Sequence, residues 1–358
     1  LFRKATIALA MTGLLLGGCA ADRRSGKVYG KPPQPKKVSV AGLETFGTEG
    51  RWSTSIIGGR VAGLYPLGDI ISVYTEDERL IVLDSNRGVE LWRLILPADL
   101  QFGPYRHGDV VYFSLQDTVY GMDAKTGEEL WKKSVEVPLS SPPTLFAGKI
   151  MAGSTTGILG AWPVRGKKLA WSILQCRTTE KPVVSDSVVY VPATDGLLRA
   201  VNAATGEPVW AYPTERDFVT SPALLPGGLV IGTEEGGVYR LSEDGERLWL
   251  TVLERPVKKV WADGELVIAM TSPVGAVMVD AETSEELRTV AGAVKLAGIS
   301  DRVACLLTGG ELVALDRTNY EEAWRLPLGE FSVVAENPKS NELYVATRQG
   351  VLAALELK

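Results

Sequence analysis

Histidine is almost missing from this chain of 358 residues, where His107 is the sole one. A Ser-His-Asp triad or a multi-histidine metal site would have to be built on that single imidazole, and neither has recognisable partners around it. His107 sits in Tyr105-Arg106-His107-Gly108-Asp109, between two strand candidates, and is expected in a surface turn. Cysteine is nearly as scarce. Beyond Cys19 there are only Cys176 and Cys305, far apart and inside apolar or mixed segments, so no disulfide framework is legible and buried thiols are expected. Long apolar runs are also lacking. After Cys19 none approaches the roughly 18 residues of a spanning helix, so the remainder should sit in water. Positive charge is not in excess either, with 38 Lys and Arg against 43 Asp and Glu for a net charge of -5, which disfavours a nucleic-acid partner. Acidic pairs such as Glu234-Glu235 and Glu243-Asp244 lie beside glycines at strand ends and resemble solvated turns more than a calcium loop. The expectation is a protein with no catalytic residues, no metal and no cofactor.

What is present begins at the N-terminus. Arg3 and Lys4 precede an apolar run from Ala5 to Leu16, which fits the basic and hydrophobic regions of a secretory signal and is too short to span a bilayer. Leu16-Gly17-Gly18-Cys19 follows. It resembles a bacterial lipobox, so residues 1–18 are expected to be removed and Cys19 to carry the lipid. Several acyl chains on one residue anchor stably where one would not. Removing residues 1–18 takes away Arg3 and Lys4 and no acid, moving the charge from -5 to -7. Residues 19–49 are rich in Lys, Arg, Gly and Pro, including Lys31-Pro32-Pro33-Gln34-Pro35-Lys36-Lys37. Such a segment cannot bury enough surface to offset its ordering entropy and is expected to act as a tether.

From residue 50 to 358 one unit recurs. Its clearest copies are Val119 to Trp131 (VYGMDAKTGEELW) and Leu198 to Trp210 (LRAVNAATGEPVW). Tryptophan falls at 92, 131, 171, 210, 249 and 324, with Arg288 in the sixth place, so the steps are 39, 40, 39, 39, 39 and 36 residues. A period near 40 residues marks a repeat architecture. Each unit holds an alternating strand, a turn with Asp or Asn and Thr-Gly in its clearest copies, and a second strand containing the tryptophan. Two short β-rich runs precede each hairpin, which makes four strands and one propeller blade. Seven hairpins are complete. Gly350 to Leu355 then repeats a first hairpin strand without its partner, while Trp52 lies 40 residues before Trp92. Pairing the Trp52 segment with the Val351 to Leu355 strand would close a ring of eight blades and remove the open edges between first and last. The predicted fold is therefore all-β, an eight-bladed propeller closed by its N- and C-terminal strands.

At Asp123-x-x-Thr126-Gly127-x-x-x-Trp131 and Asn202-x-x-Thr205-Gly206-x-x-x-Trp210 the sequence resembles the quinoprotein-type, or PQQ-like, propeller repeat. In that family the tryptophan docks between neighbouring blades, which implies a structural role for Trp52, Trp92, Trp131, Trp171, Trp210, Trp249 and Trp324. Lipobox, tether and eight blades together resemble the BamB lipoproteins of outer-membrane β-barrel assembly. That likeness implies an envelope protein, lipid-anchored and facing the periplasm from the outer membrane, towards which Ala20 after the cysteine also leans. It implies a scaffold whose partner is a BamA-like assembly component. The family's longer inserts are replaced here by Val137 to Ser141 and Cys176 to Glu180, so no contact residue carries over, and the loops near Leu139 and Arg177 are expected to make the contact on this chain's own residues. Two other functions are weighed against it. A PQQ-dependent dehydrogenase would be longer and many carry adjacent cysteines, unlike Cys176 and Cys305. A ligand-sensing propeller could use a rim of Phe102, Tyr105, Arg106, Arg177 and Arg216-Asp217-Phe218, although blade packing and surface charge account for each of these.

Overall fold

A computed structural model describes residues 48–357 apart from 57, 215, 274, 338 and 339. The expected signal peptide, Cys19 and most of the tether lie outside the described residues. Within them the chain forms thirty-two strands, β1 to β32 in chain order, and no helix. They build eight four-stranded antiparallel sheets. Seven are consecutive, the first being β2 (Val61–Pro66), β3 (Ile70–Thr75), β4 (Arg79–Asp84) and β5 (Glu90–Ile95).

The burial patterns show why these segments form blades. The two middle strands of a blade are covered on both faces by neighbouring blades, so β3 and β4 are almost continuously buried. The outer strand is covered on alternate residues only, as in β9 (Glu129–Ser134). The core consequently lies between blades rather than within them. Ile70, Leu80, Val82 and Trp92 of the first blade interdigitate with Val111, Phe113 and Met122 of the second. Similar mixed clusters occupy the other junctions.

The eighth sheet joins the two ends of the described chain in the order β1 (Thr48–Ser55), β32 (Val351–Leu357), β31 (Glu342–Thr347) and β30 (Phe331–Val334). Trp52 pairs with Ala354 and Ser55 with Val351, with one bulge between Gly50 and Trp52. Closure therefore occurs where the repeat phase requires it. The closing strand starts at Thr48, two residues before the predicted boundary, and stays paired as far as Leu357.

Candidate partner-binding surface

The hairpin turn inside each blade shapes the blade junctions. In the clearest copies an Asp or Asn side chain accepts two backbone N–H bonds, as Asp123 does from Lys125 at 3.0 Å and Thr126 at 2.8 Å. The turn then reaches a glycine at positive φ, Gly127 at 68°. The tryptophan of the preceding blade lies against that glycine, leaving no room for a Cβ: one built on Gly127 would come within 2.6 Å of the Trp92 ring. The indole N–H meanwhile donates to the turn carbonyl, Trp92 to Ala124 at 2.9 Å. The same bond runs from Trp52 to Ser85, Trp171 to Ala203, Trp210 to Glu243 and Trp249 to Ala281. Trp131 lies instead over Gly121 of its own blade, and the buried indole nitrogen of Trp324 has no acceptor among the described residues.

At the ring centre, ionisable side chains come from the innermost strands and the residues beside them. The Lys181 ammonium lies 3.8 Å from the Tyr105 ring centroid, an attraction reaching across from the fourth blade to the second. Burial pushes Lys181 down to about 8 and raises Tyr105. Burial also raises Glu180, against the hydroxyl bond that its carboxylate accepts from Ser221. Lys259 pairs with Glu336, and Lys295 donates to the Val334 carbonyl at 2.7 Å. His107 is exposed at the end of its strand, edge-on to Phe146 at 6.5 Å. Cys176 and Cys305 are buried free thiols in separate clusters, with Cys176 pushed up to about 11 by burial. Among the described residues no three His, Cys, Asp or Glu side chains gather where they could share a metal ion.

The residues considered for a ligand rim do not form one surface. Phe218 is buried, the Arg106 guanidinium is tied to Asp69 and the Leu67 carbonyl, and Arg216 pairs with Glu235 at 2.6 Å. Arg177 is exposed. It lies with Leu174, Gln175, Thr156, Thr194 and Asp195 around a shallow groove of about 580 Å³ between the third and fourth blades.

A family profile described as outer membrane protein assembly factor BamB matches residues 76–177 and 157–293, more than half of the chain. The chain belongs to the BamB family. The BamB of Yersinia pestis is 21% identical over 339 residues, covering 91% of this chain and 72% of that protein. The BamB of Moranella endobia is 25% identical over 268 residues, covering 66% of this chain and 63% of that protein. The crystal structure of BamB from Moraxella catarrhalis superposes with a TM-score of 0.69 at 17% identity, covering 86% of this chain and 98% of that one. A quinohemoprotein alcohol dehydrogenase from Pseudomonas putida superposes with a TM-score of 0.65 at 12% identity, over 87% and 76% of the two chains. Both superpositions establish the eight-bladed fold and no more.

One residue expected at a BamB-like contact needs correction. Leu139 is only 2% exposed and packs with Tyr112, Val119, Leu145 and Ile150, bridging to Ser154. The segment Val137 to Ser141 reads as an exposed loop because Pro138 interrupts the strand pattern, but its leucine caps the core between the second and third blades. The residue that sequence reasoning missed is Leu174, 69% exposed and three positions before Arg177. Its signal was available, a large apolar residue just past the last strand of a blade.

Proposed function

We propose that the protein is a non-enzymatic scaffold of outer-membrane β-barrel assembly, anchored through a lipid on Cys19 and facing the periplasm. Its partner is a BamA-like component gripped at the Leu174 to Arg177 connection. Membership of the BamB family supports the role. The observation that carries the contact is the pairing of an exposed leucine with an exposed arginine on the rim of the groove. A leucine in water gains about 2 kcal/mol when a partner covers it, and arginine adds directional bonds. A closed ring holds both on a rigid support, so little ordering entropy is lost on binding.

Capture from envelopes tests this reading. Leu174→Asp with Arg177→Asp should abolish co-purification of barrel-assembly components while the thermal melt stays within a few degrees of the parent. Leu139→Asp should instead unfold the junction, as expected of a buried side chain. Cys19→Ser should release the protein into the soluble fraction. If no assembly component is captured from envelopes whose machinery is intact, the role is lost. Stoichiometric PQQ binding with reduction of an acceptor would move the protein to the dehydrogenases.

A further inference from the structure

The outer strand of every blade is a sheet edge, and in seven of the eight the outward row is interrupted, in five by a charge or a proline and in the third and sixth by small residues. The row of side chains one before, one after and three after the tryptophan position faces the gap to the preceding blade. In the first blade it reads Leu91, Arg93 and Ile95, with Arg93 paired to Glu90. In the second it reads Leu130, Lys132 and Ser134, with the Lys132 ammonium over the Tyr120 ring. The third, fourth and sixth have Ser172, Ala211 and Thr289 at the centre, the fourth ending on Pro213. The seventh has Arg325, paired to Glu322 and Glu311, and ends on Pro327. The eighth reads Arg51, Ser53 and Ser55. Charges and prolines at such positions keep an edge from recruiting another strand.

The fifth blade departs from this rule. Its outer strand β21 (Arg247–Val252) pairs only with β20 (Gly237–Ser242) and presents Leu248, Leu250 and Val252 at 52%, 36% and 60% exposure. Among the described residues no other edge has large apolar side chains at all three positions. The turn before β21 exposes Glu243, Asp244 and Glu246, and Glu254 follows it, against Arg247 and Arg255 alone. A row of period two beside open backbone donors and acceptors fits one kind of occupant, an extended chain with its own period-two apolar row. The acidic flanks favour lysine or arginine beside that row.

We propose that β21 is a docking edge for an extended, alternately apolar segment with basic flanks, the chemistry of a transmembrane barrel strand before insertion. The naming of the client rests on the assembly role proposed above, whereas the edge itself does not. Such a segment adds a fifth strand to the fifth blade, using its main chain for affinity and its alternate side chains for register.

The test is binding of a labelled synthetic strand of about 10 residues, alternating Val or Leu with Thr and carrying Lys at both ends, to the full propeller by fluorescence anisotropy. A control peptide of the same composition has its apolar residues in one block. The alternating peptide should bind and the blocked one should not. Leu250→Lys and Val252→Lys, each checked for an unchanged melt, should weaken binding at least tenfold. Leu174→Asp with Arg177→Asp should leave it intact, so loss of the assembly contact and loss of the edge are separate results. Equal binding by the parent and both lysine variants overturns the proposal. So does reversible dimerisation of the parent, measured by sedimentation and abolished by Leu250→Lys, because a second copy would then be what covers the edge.

Discussion

Five of the eight blade junctions are docked by a tryptophan whose N–H reaches the next turn, and three are not. At four of the docked junctions the ring lies against a turn glycine, for example Trp92 with Gly127 and Trp171 with Gly206, and at the fifth Ser284 at φ 65° holds the glycine's place. At the others at least one half is missing: the turn alone where Trp131 and Trp324 stand, and both halves between the sixth and seventh blades. The turn facing Trp131 is Val164-Arg165-Gly166-Lys167-Lys168 without the Asp-x-x-Thr-Gly pattern, and Lys133 bonds its Gly166 carbonyl instead. Between the sixth and seventh blades Arg288 stands for tryptophan, and Tyr320, at φ 57°, for the turn glycine. Trp324 faces the eighth blade, whose third and fourth strands are β32 and β1, so no hairpin turn offers the carbonyl. The lesson is that the indole bond needs a hairpin turn of the next blade that offers a carbonyl; the tryptophan alone does not make it.

The undocked junctions hold without the indole bond, so the apolar area buried between blades must hold them. The closing blade, where strand pairing also joins the two chain ends, is the most severe test. Deleting residues 350–358 removes Leu352, Ala353, Ala354, Leu355 and Leu357, all buried, and leaves β1 unpaired. Loss of a buried leucine costs about 2–5 kcal/mol, so three exceed or match the whole stability of a typical domain, about 5–15 kcal/mol. The truncated chain should lose cooperative unfolding by circular dichroism and elute as oligomers. An unchanged melt would mean that the ring does not depend on its closing strand.

A sharper cut compares two tryptophans. Trp92→Ala should cost about 3–5 kcal/mol in urea unfolding, because it opens a cavity beside Gly127 and strands the Ala124 carbonyl. Trp324→Phe should cost under about 1 kcal/mol, since it keeps most of the ring and removes a buried donor that has no acceptor. Trp92→Phe, which keeps most of its ring but leaves the Ala124 carbonyl without its donor, should cost more than Trp324→Phe. If the two phenylalanine variants prove equally damaging, the indole bond is not what distinguishes the two classes of junction.

The ring was legible because its information is periodic. The tryptophan spacing set the blade count, and the orphan strand at Val351 with Trp52 one period before Trp92 set the closure. What periodicity does not carry is which neighbour covers which face. Leu139 and Leu174 both follow the outer strand of a blade, yet one fills a junction and the other stands in water. The row Leu248, Leu250 and Val252 alternates like a half-buried strand and is told apart only by its position at a sheet edge. The contact of Lys181 with Tyr105 joins blades that are not neighbours and leaves no local trace in the sequence.

The smallest predicted effect concerns the turns that the tryptophans touch, where the chain contains its own control. Asp123 and Asn202 occupy the same place and accept the same pair of backbone bonds, Asn202 from Ala204 at 2.9 Å and Thr205 at 3.1 Å. The Thr126 N–H, with that of Lys125, holds the Asp123 carboxyl below the usual carboxylate range. In the unfolded chain that carboxyl returns to its ordinary value near 3.9. Its contribution is therefore present above the ordinary value and is lost as pH falls through the lower folded one. Asp123→Ala should cost about 1 kcal/mol at pH 7, the usual loss for two turn bonds to one side chain. Asp123→Asn should cost a few tenths, since an amide oxygen accepts the same bonds without the charge. The gap between Asp123→Asn and the parent should close as unfolding is measured at decreasing pH, because protonation removes the advantage of the carboxylate. A gap that stays constant down to the acid limit would show that the turn depends on shape alone, and that Asp and Asn are interchangeable there at every pH.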